Sequence, residues 1–161
     1  MPVMSDESFG PGSAPSEADI DAVFVWTAIR VGRLLERMAA ARLADTGHGL
    51  TQVQFGVLAY LGARPGMSQS ELARAIQVRP QSAHETVTAM IDEGVLERVG
   101  PGGRGRPAAL RLTDHGYALL SRTWPAVTGI SATDLGLTPD DAATLNGLLH
   151  TVLHTPATRS R

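Results

Sequence analysis

Residues 68–99 read SQSELARAIQVRPQSAHETVTAMIDEGVLERV, and the architecture of the chain turns on this stretch. Ser68 and Glu71 have the spacing of a capping box, with Met67 and Leu72 placed to staple it. The helix they open runs to about Ala75. Ile76 to Arg79 make a short turn, and Pro80 suits the first position of a second helix reaching Glu93. Two such helices have helix-turn-helix proportions. At about 100° per residue, Ala83, Val87, Met90 and Ile91 fall on one side of the second helix. Gln81, His84, Glu85 and Thr88 fall opposite. The first group packs inward, and the second is free to enter a major groove. Gln can bond adenine at two points, Glu can accept from cytosine, and Thr can touch a thymine methyl. An ordinary amphipathic helix shows the same polar face to solvent, so this helix alone does not decide function.

The hairpin immediately after it shifts the balance. Val95 to Val99 and Ala108 to Leu112 read as strands around a loop of four glycines, two prolines and two arginines, Gly100 to Pro107. Leu110 and Leu112 alternate with Arg111, giving one buried and one wet face. The span from Arg98 to Thr113 carries Arg98, Arg104, Arg106 and Arg111 and no acid. An arginine-bearing hairpin after the second helix is a wing. Arg104 and Arg106, on its glycine-rich tip, are placed for the narrow minor groove, whose concentrated negative potential favours inserted Arg. The run Arg104-Gly105-Arg106-Pro107 also resembles an AT-hook core. A flexible, solvated hairpin is the alternative. Helix-turn-helix and basic wing together are more specific than either part.

On the N-terminal side, residues 1–16 are rich in Pro, Gly and Ser and are expected to form a disordered arm. Ser16 and Asp19 can cap one long helix reaching about Ala44, with apolar residues at helical spacing from Ile20 to Met38. Thr51 and Gln54 form another capping box, Thr113 can cap a later helix, and Thr138-Pro139-Asp140-Asp141 opens the last. Gly129 and Gly136 bracket a break before it. The expected architecture is mainly α with a small β-hairpin wing, about six helices in all. The expected divisions are an N-terminal dimerisation helix at 17–47, a winged lobe at 48–120, C-terminal dimerisation helices at 121–154 and a frayed tail at 155–161.

Bulk properties narrow the function classes. The chain has 161 residues, enough for one compact domain, and no cysteine, which removes disulfides and thiolate metal sites. All 14 basic residues are Arg. A Walker-type phosphate loop and Schiff-base chemistry both need Lys and are excluded. Net charge is −2, but local charge decides whether a phosphate backbone is attracted. No apolar run has the length of a membrane span and no signal-type block opens the chain, so a cytoplasmic location is expected.

From Leu50 to Leu120 the sequence resembles the MarR (multiple antibiotic resistance) regulators. The matching residues are Leu50-Thr51-x-x-Gln54-Phe55, Pro65-Gly66-x-Ser68-Gln69-Ser70-Glu71-Leu72-Ala73, Pro80-Gln81-Ser82, Gly94-Val95-Leu96-Glu97-Arg98 and Leu112-Thr113-x-x-Gly116. The resemblance implies a winged helix-turn-helix transcriptional regulator, more commonly a repressor, binding double-stranded DNA at a pseudo-palindromic operator. It implies a homodimer with intertwined N- and C-terminal helices. Gln81, Ser82, His84 and Glu85 fall on its groove-reading positions and Arg106 on its wing-tip arginine. Thr88 extends that face, and Ser68, Gln69 and Arg79 are candidate contacts to the DNA backbone. The acids that usually brace the family's wing arginines are replaced here by Pro101, Gly103 and Arg104.

Dimerisation also has its own physical reason. Leu145, Leu148, Leu149 and Val152 of the last helix bury poorly against one small lobe. A C2 partner would cover them and set two recognition helices about 34 Å apart, one DNA turn. The family often binds small aromatic ligands, and Trp26, Arg30, Phe55 and Tyr60 are the candidates for one here, although Trp26 and Phe55 suit a core better than a ligand site. His150 and His154, four apart, could hold half of a tetrahedral metal site; helix-end histidines account for them more simply, and no metal or cofactor is expected. No HExxH, GxSxG or dinucleotide fingerprint appears, so no enzyme is expected. The rival reading is a winged-helix protein-interaction module that never touches DNA.

Overall fold

A computed structural model describes residues 14–100 and 108–155. The order is α1 (Glu17–Asp21), α2 (Phe24–Asp45), α3 (Gln52–Ala63), β1 (Met67–Ser68), α4 (Gln69–Ala75), α5 (Pro80–Asp92), β2 (Leu96–Val99), β3 (Ala109–Leu112), α6 (Asp114–Thr128), a 3-10 turn (Thr133–Leu135) and α7 (Pro139–His154). Two compact units divide the chain, one ending at Met38 and the other starting at Ala39.

In the first unit the expected single helix is two. Ser16 and Asp19 form the foreseen capping box, but the ladder tightens at Val23, whose N–H bonds the Ile20 carbonyl at 3.1 Å in i→i−3 fashion. A second helix restarts at Phe24. The Thr27 hydroxyl donates to the Asp21 carbonyl at 3.4 Å and Arg30 pairs with the Asp21 carboxylate at 2.9 Å, which holds the break. A gap of two residues leaves the apolar period nearly in phase, so the sequence pattern conceals it.

The second unit holds the core. Thr51 and Gln54 cap α3 reciprocally. That helix is apolar around most of its girth and fully buries Val57, Leu58 and Leu61. Around it close Leu72 of α4, Val87 and Met90 of α5, Leu96, Leu110 and Leu112 of the sheet and Leu119 of α6. Each such side chain contributes about 1.5–3 kcal/mol of transfer free energy. The sheet is antiparallel in the order β1-β3-β2. β2 and β3 each begin one residue after the start expected from the sequence and end where expected; β1, only two residues long, has no readable period and exists because Met67 and Ser68 pair with Leu110 and Ala109.

Two glycine positions lock the lobe. A Cβ on Gly116 would sit 2.3 Å from the Val95 carbonyl oxygen, so only glycine lets α6 approach the end of α5 this closely. There the Thr113 hydroxyl donates to the Gly94 carbonyl at 2.7 Å, and its oxygen caps α6 by accepting from the Gly116 N–H at 3.1 Å. Gly94 takes φ +69° after α5, where its own N–H and that of Val95 return to the Ile91 and Met90 carbonyls.

The boundary expected at 120/121 falls inside α6, which continues to Thr128 through a Pro at 125. Thr123 in that helix is buried, its hydroxyl donating to the Leu119 carbonyl at 2.8 Å. Gly129 caps α6, Gly136 turns left-handed, and Thr138 caps α7. No residue of α7 is buried.

Candidate nucleic-acid interface

The α4–turn–α5 unit is positioned at both ends by backbone chemistry. Ser68 caps α4, accepting from the Glu71 N–H at 3.3 Å, while the Glu71 carboxylate accepts from the Ser68 N–H and hydroxyl, both at 2.8 Å. Those bonds, led by the one to the Ser68 backbone, lower the Glu71 pKa below its ordinary value. At the other end of α4, the Gln77 and Val78 N–H groups return to the Arg74 and Ala73 carbonyls at 3.3 and 3.1 Å. This is a Schellman closure, and its left-handed residue is Gln77 at φ +57° in place of the usual glycine. The Gln77 side-chain amide also donates to the Arg74 carbonyl at 3.1 Å. Val78 and Arg79 then extend the chain into Pro80, which starts α5 without losing a helical bond.

The rotation of α5 is set by what it buries. Ala83, Val87 and Met90 are fully buried and Ile91 packs beside them, as the apolar spacing predicts. Gln81, Ser82, His84, Glu85 and Thr88 are therefore brought together on one exposed face. They are not idle there. The Gln81 amide donates to Glu85 at 2.8 Å, and the Gln69 amide donates to His84 Nδ1 at 3.3 Å. This second bond joins a residue read as a backbone contact to one read as a groove contact, a link between helices that spacing alone does not reveal. Ser68 and Gln69 are half-buried, and Arg79, just before α5, is exposed.

In the hairpin, Leu110 and Leu112 point into the core and Arg111 outward. Glu97 lies directly across the ladder from Arg111 and pairs with it at 2.5 Å. Of the wing arginines counted in the sequence, Arg111 is thus neutralised by an acid just outside the span, whereas exposed Arg98 has no ion pair among the described residues. Arg104 and Arg106 lie outside the described residues.

The four candidates for ligand contact occupy different settings. In the first unit, Trp26 is 40% exposed and Arg30, bonded to Asp21, lines an open cavity with Val31, Arg33, Leu34 and Arg37. In the second unit, half-buried Phe55 stacks on Trp124 with ring centroids 6.0 Å apart, and Tyr60 is exposed on α3. His150 and His154 stack on each other, and His154 Nδ1–H donates to the His150 carbonyl at 2.7 Å. Among the described residues no group of three or more His, Cys, Asp or Glu is gathered as a metal site would require. No described helix is long and apolar enough to cross a membrane.

Residues 48–107 match the MarR family. The chain is 33% identical over 112 residues to the HTH-type transcriptional repressor Rv2887 of Mycobacterium tuberculosis, spanning 70% of this chain and 79% of that protein. Among solved structures, the transcriptional repressor CouR bound to a 23-mer DNA duplex is similar at a TM-score of 0.74 and 26% identity, over 87% of this chain and 99% of that one. Rv2887 in complex with salicylic acid is similar at a TM-score of 0.65 and 31% identity, over 82% of this chain and 97% of that one.

Proposed function

The chain belongs to the MarR family of transcriptional regulators, and on that basis we propose a cytoplasmic homodimer that represses transcription by binding a pseudo-palindromic operator in double-stranded DNA. In this reading α5 enters the major groove, with Gln81, Ser82, His84, Glu85 and Thr88 facing base edges. Ser68, Gln69 and Arg79 meet the phosphate backbone, and Arg104 and Arg106 lie in the minor groove. The observation that carries the reading is the exposed polar face of α5, held in place by a fully buried opposite face and a capped partner helix. The side-chain bonds Gln81–Glu85 and Gln69–His84 keep these groups in fixed rotamers before DNA arrives, which lowers the ordering cost of binding. The relatives solved with DNA and with salicylic acid support a regulator released by a small aromatic ligand. Such a ligand must favour the non-binding state to release DNA.

The test is selection from a genomic library at moderate salt, then titration of the enriched duplex. Palindromic enrichment is expected, with Gln81→Ala costing about 1–3 kcal/mol at one operator position and relaxing its base preference. Arg106→Gln is expected to shallow the salt dependence of binding by about one unit of log–log slope. Enrichment of no duplex would replace this reading with the protein-interaction module.

A further inference from the structure

The bond that joins α4 to the exposed face of α5 fixes chemistry as well as position. The Gln69 amide nitrogen lies 3.3 Å from His84 Nδ1. An amide nitrogen only donates, so Nδ1 is the bare, accepting nitrogen of a neutral imidazole. The ring proton then sits on Nε2, the nitrogen that Gln69 does not engage. On the reading of α5 as the helix that enters the major groove, we propose that His84 donates from Nε2 to N7 of a guanine in each half-site. Gln69 is the positioning residue that sets this tautomer.

No acid among the described residues pairs with His84. Glu85, next along the helix, accepts instead from the Gln81 amide at 2.8 Å. No carboxylate therefore holds a proton on Nδ1. The Gln69 amide nitrogen carries two protons, and its bond to His84 leaves the second for a phosphate oxygen. A phosphate only accepts, so a backbone contact by this side chain holds the nitrogen end of the amide in place, and the His84 tautomer with it. In the major groove a lone donor sorts bases by their acceptors. Guanine offers N7 and O6 and no donor, adenine sets its N6 donor beside N7, and cytosine offers only its N4 donor. The opposite tautomer would reverse the preference, since a bare Nε2 accepts and is repelled by N7. The base read by α5 is thus chosen partly on α4.

The experiment takes the full-length protein and the operator duplex from the genomic selection. Each guanine of a half-site is replaced in turn by its deaza analogue, which pairs normally but has carbon in place of N7. At one position the natural chain should lose about fivefold or more in affinity at fixed salt. His84→Ala should bind the two duplexes equally. Gln69→Met, which keeps the side-chain length and removes the donor, should shrink the penalty to about twofold. Loss of a phosphate contact alone would weaken both duplexes alike and leave the penalty unchanged. Nitrogen chemical shifts of the histidine rings in the DNA-free protein, at mildly alkaline pH, give the second readout, with His84→Ala supplying the assignment. His84 should carry its proton on Nε2, and its bare Nδ1 should move toward the unbonded imine position in Gln69→Met. The proposal is overturned by a His84 proton on Nδ1, by a penalty at no guanine, or by a penalty equally large in Gln69→Met. Any of these with a tightly bound duplex leaves the operator reading intact. Enrichment of no duplex overturns that reading and this proposal together.

Discussion

Helices α5 and α7 look alike as sequences: each carries an apolar face at helical spacing, a proline at its first position and a polar opposite face. Their environments differ completely. On α5, Ala83, Val87 and Met90 are fully buried within their own chain, whereas on α7 Leu148 is 61% and Val152 62% exposed. An amphipathic pattern thus specifies a face to be covered without naming what covers it. For α5 the cover is the lobe's own core. For α7, under the proposed dimer, the cover is a second copy.

Substitutions on the two helices should therefore fail in different ways, and strongly. Met90→Ala is expected to cost about 2–5 kcal/mol in urea unfolding, because it removes a buried side chain and leaves a cavity. Leu148→Glu combined with Val152→Glu should leave the lobe folded and abolish the dimer, seen as a single light species in sedimentation at all concentrations. If the double α7 variant unfolded the lobe as severely as Met90→Ala, the two helices would not differ in what covers them. Gly116→Ala comes next, at about 1–3 kcal/mol of overpacking, since its new methyl meets the Val95 carbonyl, a backbone atom with little freedom to yield.

A weaker change of opposite sign is expected at Gln77, in the turn that aims α5. Holding a residue other than glycine left-handed costs about 1–2 kcal/mol, part of it offset here by the side-chain bond to the Arg74 carbonyl. Gln77→Gly should therefore raise stability by about 0.5–1 kcal/mol. Thermal unfolding measures it, and a loss of stability would show that the amide bond outweighs the backbone strain.

Most of the lobe was legible because its signals are local. Ser68 with Glu71, Thr51 with Gln54, Pro80 and Thr138 all act within one helical turn, and each cap stands where its spacing places it. The polar face of α5 was legible because its buried face is strictly periodic. What escaped depends on partners distant in sequence or on single dihedral angles. The break at Ala22–Val23 leaves the apolar period nearly in phase. The strand at Met67–Ser68 is defined by Leu110 and Ala109, over forty residues on. The pairing of Arg111 with Glu97 needs the β2–β3 register, and the bond from Gln69 to His84 needs α4 and α5 in place. The left-handed turn at Gln77 gives no compositional sign, because glycine is the residue that normally announces it.

The caps of these helices pair a hydroxyl with a carboxylate three residues on, but by different bonds, and pH should read the α4 cap at low amplitude: in α4, which leads into α5, Glu71 accepts from both the Ser68 N–H and its hydroxyl, whereas in α7 Asp141 accepts from the Thr138 hydroxyl. Glu71 has its folded pKa lowered from 4.5, chiefly by the Ser68 backbone N–H and then by the Ser68 hydroxyl. A carboxylate so lowered favours the folded state above its unfolded value, and that contribution is lost as pH falls through the folded pKa. Glu71→Gln cannot titrate, so it lacks this contribution at every pH. The stability of the natural chain relative to Glu71→Gln should therefore contain a component that is constant from pH 8 to about 6 and shrinks below about 4.5, measured by urea unfolding across that series. A difference independent of pH would mean that the capping carboxylate contributes through its shape as an acceptor and not through its charge. A difference that grew in acid would contradict the direction of the shift, and with it the assignment of Ser68 as the group that holds Glu71 ionised.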